Sequence, residues 1–277
     1  MINADLHCHS TASDGTLSPT EVAAVAHEQG VTLWSLTDHD ELSGQAEAAD
    51  AATALGMRYL AGVEVSVTWS NRTVHIVGMN IDPCSPVLAD GLARTRSGRT
   101  ERARQMGERL ADLGLPGAFE GALRYVGNPD LVSRTHFARW MLESGAVPDL
   151  QTAFGRYLAD GKPACISHRW ARLGDAMDWI AAAGGAAIIA HPGRYRFTPI
   201  EFEALFDEFK ARGGQAIEVV TGSHHPAQYE EYARVARRFG FQASRGSDYH
   251  GPDEGRAPPG ALPPLPAGLR PVWEQWL

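Results

Sequence analysis

Residues 174–191 read GDAMDWIAAAGGAAIIAH, and this stretch decides the class of fold. Gly174–Ala183 reads as a helix, Gly184–Gly185 stop it, and Ala186–Ala190 form a short apolar run suited to a buried strand, with His191 directly at its end. The same order recurs downstream. PIEFEALFDEFKARGG (199–214) leads to QAIEVVTG (215–222), and PAQYEEYARVARRFG (226–240) leads to FQASRGSD (241–248). It also recurs upstream. INADLH (2–7) reads as a strand, followed by a helix from Ser18 to Gly30. There Ser18 is the expected N-cap, Pro19 fits the first helical position and Glu21 completes a capping box. VTLWSLT (31–37) is a buried strand followed by a helix from about Ser43 to Leu55. RYLAGVEVSVTW (58–69) and TVHIVGMN (73–80) then suggest a hairpin. About seven strands alternating with helices predict parallel βα units.

Polar motifs collect at the C-terminal ends of these strands, where α/β barrels and open α/β sheets build their sites. Asp5, His7 and His9 share one strand face by period two, and Asp14 follows in the loop. Asp38, His39 and Asp40 follow an apolar strand directly. Glu64 sits between Val63 and Val65, where a carboxylate is costly to bury unless paired or bound to metal. His75, His191, and the pair Asp248 and His250 complete the series. Each alone has a plain alternative: a polar strand end, an outward glutamate, a satisfied core histidine. Together they give nine candidate metal ligands: His7, His9, Asp14, His39, Glu64, His75, His191, Asp248 and His250. One mononuclear site uses three or four protein ligands, so nine imply two or three ions, with Glu64 a candidate bridge. Imidazole and carboxylate donors without thiolate suit Mn²⁺, Fe²⁺ or Zn²⁺. Asp5, Asp38 and Asp40 are expected behind the ligands, orienting imidazoles. His136, His224 and His225 are candidate substrate contacts, whereas His27 is expected to be bland and His168 is open to either reading.

Composition narrows the class. The chain has 277 residues, 44% hydrophobic and 21% charged, as in a soluble globular protein. No apolar run approaches ~18 residues, so no membrane span is expected, and the start MINADLHCHS lacks the pattern of a signal peptide. Cys8, Cys84 and Cys165 are scattered and odd in number, which points to a reducing, cytoplasmic setting. A formal net charge of −8 opposes binding to long DNA through a general positive field.

The motifs DLHCHS, TDHD, GVE, VHIVG, AHP and GSDYH, in this order and spacing, resemble the PHP (polymerase and histidinol phosphatase) family. SRTHFARWMLESG followed by YLADGKPA resembles its stand-alone phosphoesterase branch, which includes 3′,5′-nucleoside bisphosphate phosphatases and a 5′→3′ exoribonuclease. The resemblance spans nearly the whole chain, less clearly from about Ala257 onward. It implies an α/β fold, a distorted (β/α)7 barrel of the PHP type with a helical insertion, and carries ligand roles onto the nine positions. No ligand position is lost; Tyr249 stands where some aromatic is expected.

The barrel is expected at residues 1–85 and 161–277. Residues 86–160 form the helical insertion, read as a substrate lid. In it GRTERARQMGERLADLG (98–114) carries an apolar stripe of Ala103, Met106, Leu110 and Leu113. Arg94, Arg96, Arg99, Arg102, Arg104 and Arg109 crowd the same segment. A solvated face with i,i+4 pairs is the plain reading of such a helix. The resemblance and the acidic remainder favour phosphate binding by Arg102, Gln105 and, on the next helix, Arg134. The expected activity is metal-dependent release of the 3′-phosphate from nucleoside 3′,5′-bisphosphates by metal-activated water, with 5′→3′ trimming of short RNA as a second use. The partners are then nucleotides or short RNA. Alternatives are a histidinol-phosphate or other small monoester phosphatase, a non-catalytic metal-binding module, and an amidohydrolase. The proline-rich RAPPGALPPLPAGLRP (256–271) is expected to run extended over the surface.

Overall fold

The computed structural model describes residues 2–254 and 257–277. Contacts divide the chain into two compact units, Met1–Arg94 with Trp170–Leu277, and Thr95–Arg169. The division falls some residues later than the expected boundaries at 86 and 160. Leu88 and Leu92 belong to the core of the first unit, so the start of the helix Pro86–Arg96 belongs there too.

In the first unit the elements run β1 (Ala4–Asp5), α1 (Pro19–Glu28), β2 (Leu33–Trp34), α2 (Gln45–Ala54), β3 (Arg58–Tyr59), β4 (Gly62–Trp69), β5 (Arg72–Met79) and α3 (Pro86–Arg96). The second unit holds α4 (Arg99–Asp112), α5 (Ala118–Leu123), α6 (Arg134–Glu143) and α7 (Leu150–Ala153). The first unit then resumes with β6 (Ala171–Arg172), α8 (Leu173–Ala182), β7 (Ala186–Ile189), α9 (Pro199–Ala211), β8 (Ala216–Thr221), α10 (Pro226–Phe239) and β9 (Gln242–Gly246). The predicted capping box is present: Ser18 N–H donates to Glu21 Oε2 at 2.7 Å, and Glu21 N–H donates to Ser18 Oγ at 3.3 Å.

Two sheets, β1-β2-β3 and β6-β4-β5-β7-β8-β9, meet along both margins. On one side Leu6 N donates to Arg245 O at 3.0 Å and Asp248 N to His7 O at 2.7 Å. On the other Glu64 N donates to Asp38 O at 3.2 Å and Asp40 N to Glu64 O at 2.9 Å. The wall is thereby closed into a barrel. Its distortion comes from the predicted hairpin: β5 runs antiparallel to both β4 and β7. Ser70 and Asn71 turn that hairpin with φ of 47° and 59°, the positive pair that a two-residue turn requires. The expected strand at residues 58–69 is two strands, because Arg58 and Tyr59 pair with β2 while Gly62 onward pairs with β5. β6 was not anticipated; two residues pairing with β4 leave no hydrophobic period to read.

Period-two alternation sorts β4. Val63, Val65 and Val67 enter the core shared with α8, α9 and α10, so Glu64 and Ser66 face the opposite side, the barrel interior. Beyond β9 the chain is fastened, not merely draped. Buried Arg245 donates to Ala4 O (2.6 Å), Asn3 Oδ1 (2.7 Å), Pro263 O (2.9 Å), Gly260 O (3.0 Å) and Leu262 O. Gly260 N donates in turn to Asp5 Oδ2 at 2.9 Å. Arg256, where the proline-rich segment begins, lies outside the described residues. Arg245→Ala removes one charged donor from several buried carbonyls and should cost about 3 kcal/mol. Urea unfolding would measure it, and unchanged stability would contradict this account of the tail.

In the second unit, Ala103, Met106 and Leu110 of α4 are buried with Phe137, Ala138 and Met141 of α6. Leu113, expected on the same stripe, is 43% exposed; it is the C-cap residue of α4, past the last packed turn. After Ala153 the short helix α7 changes into a π-helical turn, Phe154–Leu158.

Candidate metal centre

The barrel brings all nine predicted ligands onto one cluster. Three groups have donor atoms within 4.8 Å of one another: His9, Asp14, His39 and His250; His7, His9, Glu64 and Asp248; and His39, Glu64 and His75. His191 joins through Glu64, its Nε2 2.8 Å from Glu64 Oε1, which also lies 2.9 Å from His75 Nδ1. Glu64 is therefore the hub, and it is fully buried.

The donor chemistry fits cations. Glu64 Oε2 lies 3.0 Å from His39 Nδ1 and 3.2 Å from Nε2 of both His7 and His9. None of these contacts aligns as a hydrogen bond, and Oε2 has no hydrogen-bond partner. The Nε2 atoms of His7 and His9 are themselves 3.1 Å apart. Carboxylate and imidazole ligand atoms converging this closely are what a shared ion would satisfy. Cys8 is kept out: its Sγ accepts from Trp34 Nε1 at 3.1 Å, on the other face of the strand. The donor set is thus imidazole and carboxylate alone, able to bind metal ions.

Burial raises the Glu64 carboxyl, but the imidazoles of His39, His75 and His7 outweigh it and hold it well below the usual range. Asp14 behaves likewise, desolvation being overcome by His250 and His39. Burial alone would lower His7 and His9. Glu218, Glu64 and Asp248 instead raise His7 well above its ordinary value, and the nearby carboxylates of Asp248 and Glu64 lift His9 to about 9. His191 goes the other way, lowered by burial and by Arg194.

Strained backbone marks the strand ends. Asp40, His191 and Asp248 have φ of 51°, 27° and 53°, a region that L-residues seldom occupy. Each follows a wall strand; His191 and Asp248 reach the cluster from there.

The residues expected behind the ligands act differently from the expectation. Asp5 accepts from Ser247 N (3.0 Å) and Gly260 N, and Asp38 from Ser10 N (2.8 Å), Ser10 Oγ (2.7 Å) and Ser13 Oγ (2.5 Å). Among the described residues neither bonds an imidazole; they tie down the loops that carry the ligands. Asp40 accepts from Ser66 N at 2.7 Å. The imidazole orientation falls to Glu218, which sequence reasoning missed. Its Oε1 is 2.7 Å from His7 Nδ1, and its Oε2 accepts from His191 N at 2.6 Å. The signal was available: Glu218 stands between Ile217 and Val219 just as Glu64 stands between Val63 and Val65. Arg194 was also missed; its Nη1 is 3.1 Å from Asp248 Oδ2.

His224 is locked as structure. Nδ1 donates to Val219 O at 3.1 Å, Nε2 accepts from Gly193 N at 2.9 Å, and burial lowers its pKa to about 4. His136 accepts from Ser133 N through Nδ1 at 3.0 Å, a cap within α6.

The second unit has its own charged cluster. Arg102 is buried, its Nε donating to Ile166 O at 2.9 Å. Burial, then the neighbouring Arg134 and Arg99, lower it to about 10. Arg134 pairs with Asp160 at 2.8 Å. Gln105 is not part of this group: it is exposed, and its amide donates to Glu101 at 3.0 Å.

Comparison with known proteins agrees with this geometry. A family model described as the PHP domain matches residues 5–113. A 3′,5′-nucleoside bisphosphate phosphatase of Chromobacterium violaceum is 52% identical over 99% of this chain and 96% of its own. A 5′-3′ exoribonuclease of Haemophilus influenzae is 41% identical over 98% of each chain. A solved structure described as an amidohydrolase from Chromobacterium violaceum, with bound sulfate and no metal, is 51% identical. It superposes with a TM-score of 0.96 over 99% of this chain and 95% of that one.

Fold, cluster and relatives define a metal-dependent phosphoric ester hydrolase built on a distorted (β/α)7 barrel. The chain belongs to the PHP family. Among the described residues, no helix is long and apolar enough to cross a membrane.

Proposed function

We propose that this protein removes the 3′-phosphate from nucleoside 3′,5′-bisphosphates, leaving the 5′-monophosphate. The observation that carries the reading is that one chain holds a carboxylate–imidazole cluster able to bind metal ions and, in its second unit, the neighbouring guanidiniums of Arg99, Arg102 and Arg134. The name of the relative at 52% identity supports it. In this proposal His7, His9, Asp14, His39, Glu64, His75, His191, Asp248 and His250 are the ligands, for Mn²⁺ in the first instance. Zn²⁺ or Fe²⁺ fit the same donors. Bound ions would polarise a phosphoryl oxygen and make water a better nucleophile at neutral pH.

The chain's own groups do the rest. Glu64 presents one oxygen to His75 and His191 and the other to His7, His9 and His39, so a single rigid strand fixes the distances within the cluster. Arg194, on Asp248 Oδ2, brings a positive charge beside the carboxylates, suited to a phosphoryl oxygen. In the second unit, Arg102 and Arg134 are the proposed phosphate contacts.

The test is phosphate release with added Mn²⁺ from nucleoside bisphosphates, nucleoside monophosphates, histidinol phosphate and short 5′-phosphorylated RNA. The bisphosphate is expected to be preferred. Arg134→Ala should lower kcat/KM for it about 30–160-fold, as for one lost charge-assisted contact of 2–3 kcal/mol, while sparing a simple aryl phosphate. Equal losses on both substrates would remove the arginines from the proposal. Preference for short RNA would favour the second reading, 5′→3′ trimming, which the relative at 41% identity supports.

A further inference from the structure

We infer that Glu218 is a positioning residue that serves two ion sites at once, setting the tautomer of His7 and the backbone of His191. The inference rests on the proposed roles of His7 and His191 as ligands. Glu218 is 1% exposed on β8, and its neighbours Ile217 and Val219 enter the outer core, so its carboxylate faces into the barrel. A carboxylate accepts and does not donate. With Oε1 at 2.7 Å, His7 Nδ1 must be the donor, and a neutral His7 is left with its lone pair on Nε2. Nε2 is the atom that faces Glu64 Oε2 at 3.2 Å, His9 Nε2 at 3.1 Å and Asp248 Oδ1 at 3.7 Å.

The second oxygen does different work. His191 has φ 27° and ψ 58°, a conformation that needs an external hold. Glu218 Oε2 takes its N–H at 2.6 Å, and the same residue's Nε2 reaches Glu64 Oε1 at 2.8 Å. One side chain on β8 thus ties a ligand after β7 to a ligand after β1. The group His9, Asp14, His39 and His250 contains neither of them. Loss of Glu218 should therefore empty the cluster selectively.

Glu218→Gln is the sharp test, because an amide has one accepting and one donating end. If its oxygen stays on His191 N, its NH2 meets the His7 Nδ1 hydrogen. His7 must then move its hydrogen to Nε2, which removes the lone pair from the cluster. Mn²⁺ titration of the metal-free protein is expected to show 10–100-fold weaker binding at the sites using His7 and His191, with the ion at His9, Asp14, His39 and His250 retained. Electron paramagnetic resonance should change accordingly, from coupled ions in the parent protein to an isolated Mn²⁺ in the variant. The melting temperature of the metal-free variant should stay close to the parent. Glu218→Ala, which supplies no donor, offers the same selective loss should the glutamine variant not fold. Full Mn²⁺ occupancy at parental affinity would overturn the inference. So would parallel loss of every ion together with the metal-free melting temperature, which is the result a purely structural role predicts. A parent protein that binds no Mn²⁺ would instead sink the metal reading of the cluster, and this inference with it.

Discussion

Glu64→Gln is expected to lower kcat/KM for any phosphate ester by about a thousandfold or more. Both oxygens of Glu64 face imidazoles, at 2.8–3.2 Å. An amide replaces one accepting oxygen by a donor and removes the charge that bridges the cluster. Polarisation by bound ions contributes several kcal/mol to phosphoryl transfer. Losing about 4 kcal/mol of it corresponds to three powers of ten in rate. Metal content, by elemental analysis of the purified variant, should fall in step. Activity within tenfold of the parent would mean that Glu64 is no hub, and the proposed mechanism would fail with it. Neutralising a buried carboxylate also disturbs a partner of His191, so circular dichroism should accompany the assay to separate loss of metal from loss of fold.

Gly246→Ala is expected to damage the same site from outside it. A Cβ at Gly246 would stand 2.3 Å from His7 Cβ and 2.7 Å from His7 N. The obstacle is the backbone and first side-chain carbon of the facing strand, so no rotamer change relieves it. β1 and β9 would have to part where Leu6 N meets Arg245 O and Asp248 N meets His7 O. Overpacking of this kind costs about 3 kcal/mol. At roughly 2–4 °C per kcal/mol for a domain of this size, the melting temperature should drop by about 6–12 °C. His7 would move with β1, so Mn²⁺ affinity should fall too. A variant that melts with the parent and keeps its metal would show that the seam is looser than its distances indicate.

These two residues mark how far a sequence can be read. Glu64 was legible because a carboxylate between valines is out of place unless something compensates it. His191, His39 and Asp248 were legible because they stand where apolar strands end. Glu218 carried the same signature as Glu64 and was missed. Its partners, His7 and His191, lie 211 and 27 residues away. Asp5 shows the opposite error: it shares a strand face with His7 and His9, yet its carboxylate turns to Ser247 and Gly260. Gly246 gave no signal, since its constraint is the approach of another strand and not a backbone angle of its own. The insertion behaved similarly. Helical spacing placed Arg102 and Gln105 on one side of the helix, within about a third of its circumference, but only packing decided that Arg102 is buried against Ile166 O while Gln105 stays exposed.

By itself, then, the sequence determined the alternation of strands and helices, the hairpin at Ser70–Asn71, and the residue types that gather at strand ends. All are local, set by hydrophobic period, caps and turns within a few residues. Only the tertiary structure decided which carboxylates meet which imidazoles, where the two sheets close, and that Arg245 pins the C-terminal segment. Those outcomes depend on atoms from distant parts of the chain converging within about 3 Å, the range over which hydrogen bonds and ion ligation act. No periodicity along the chain encodes that distance.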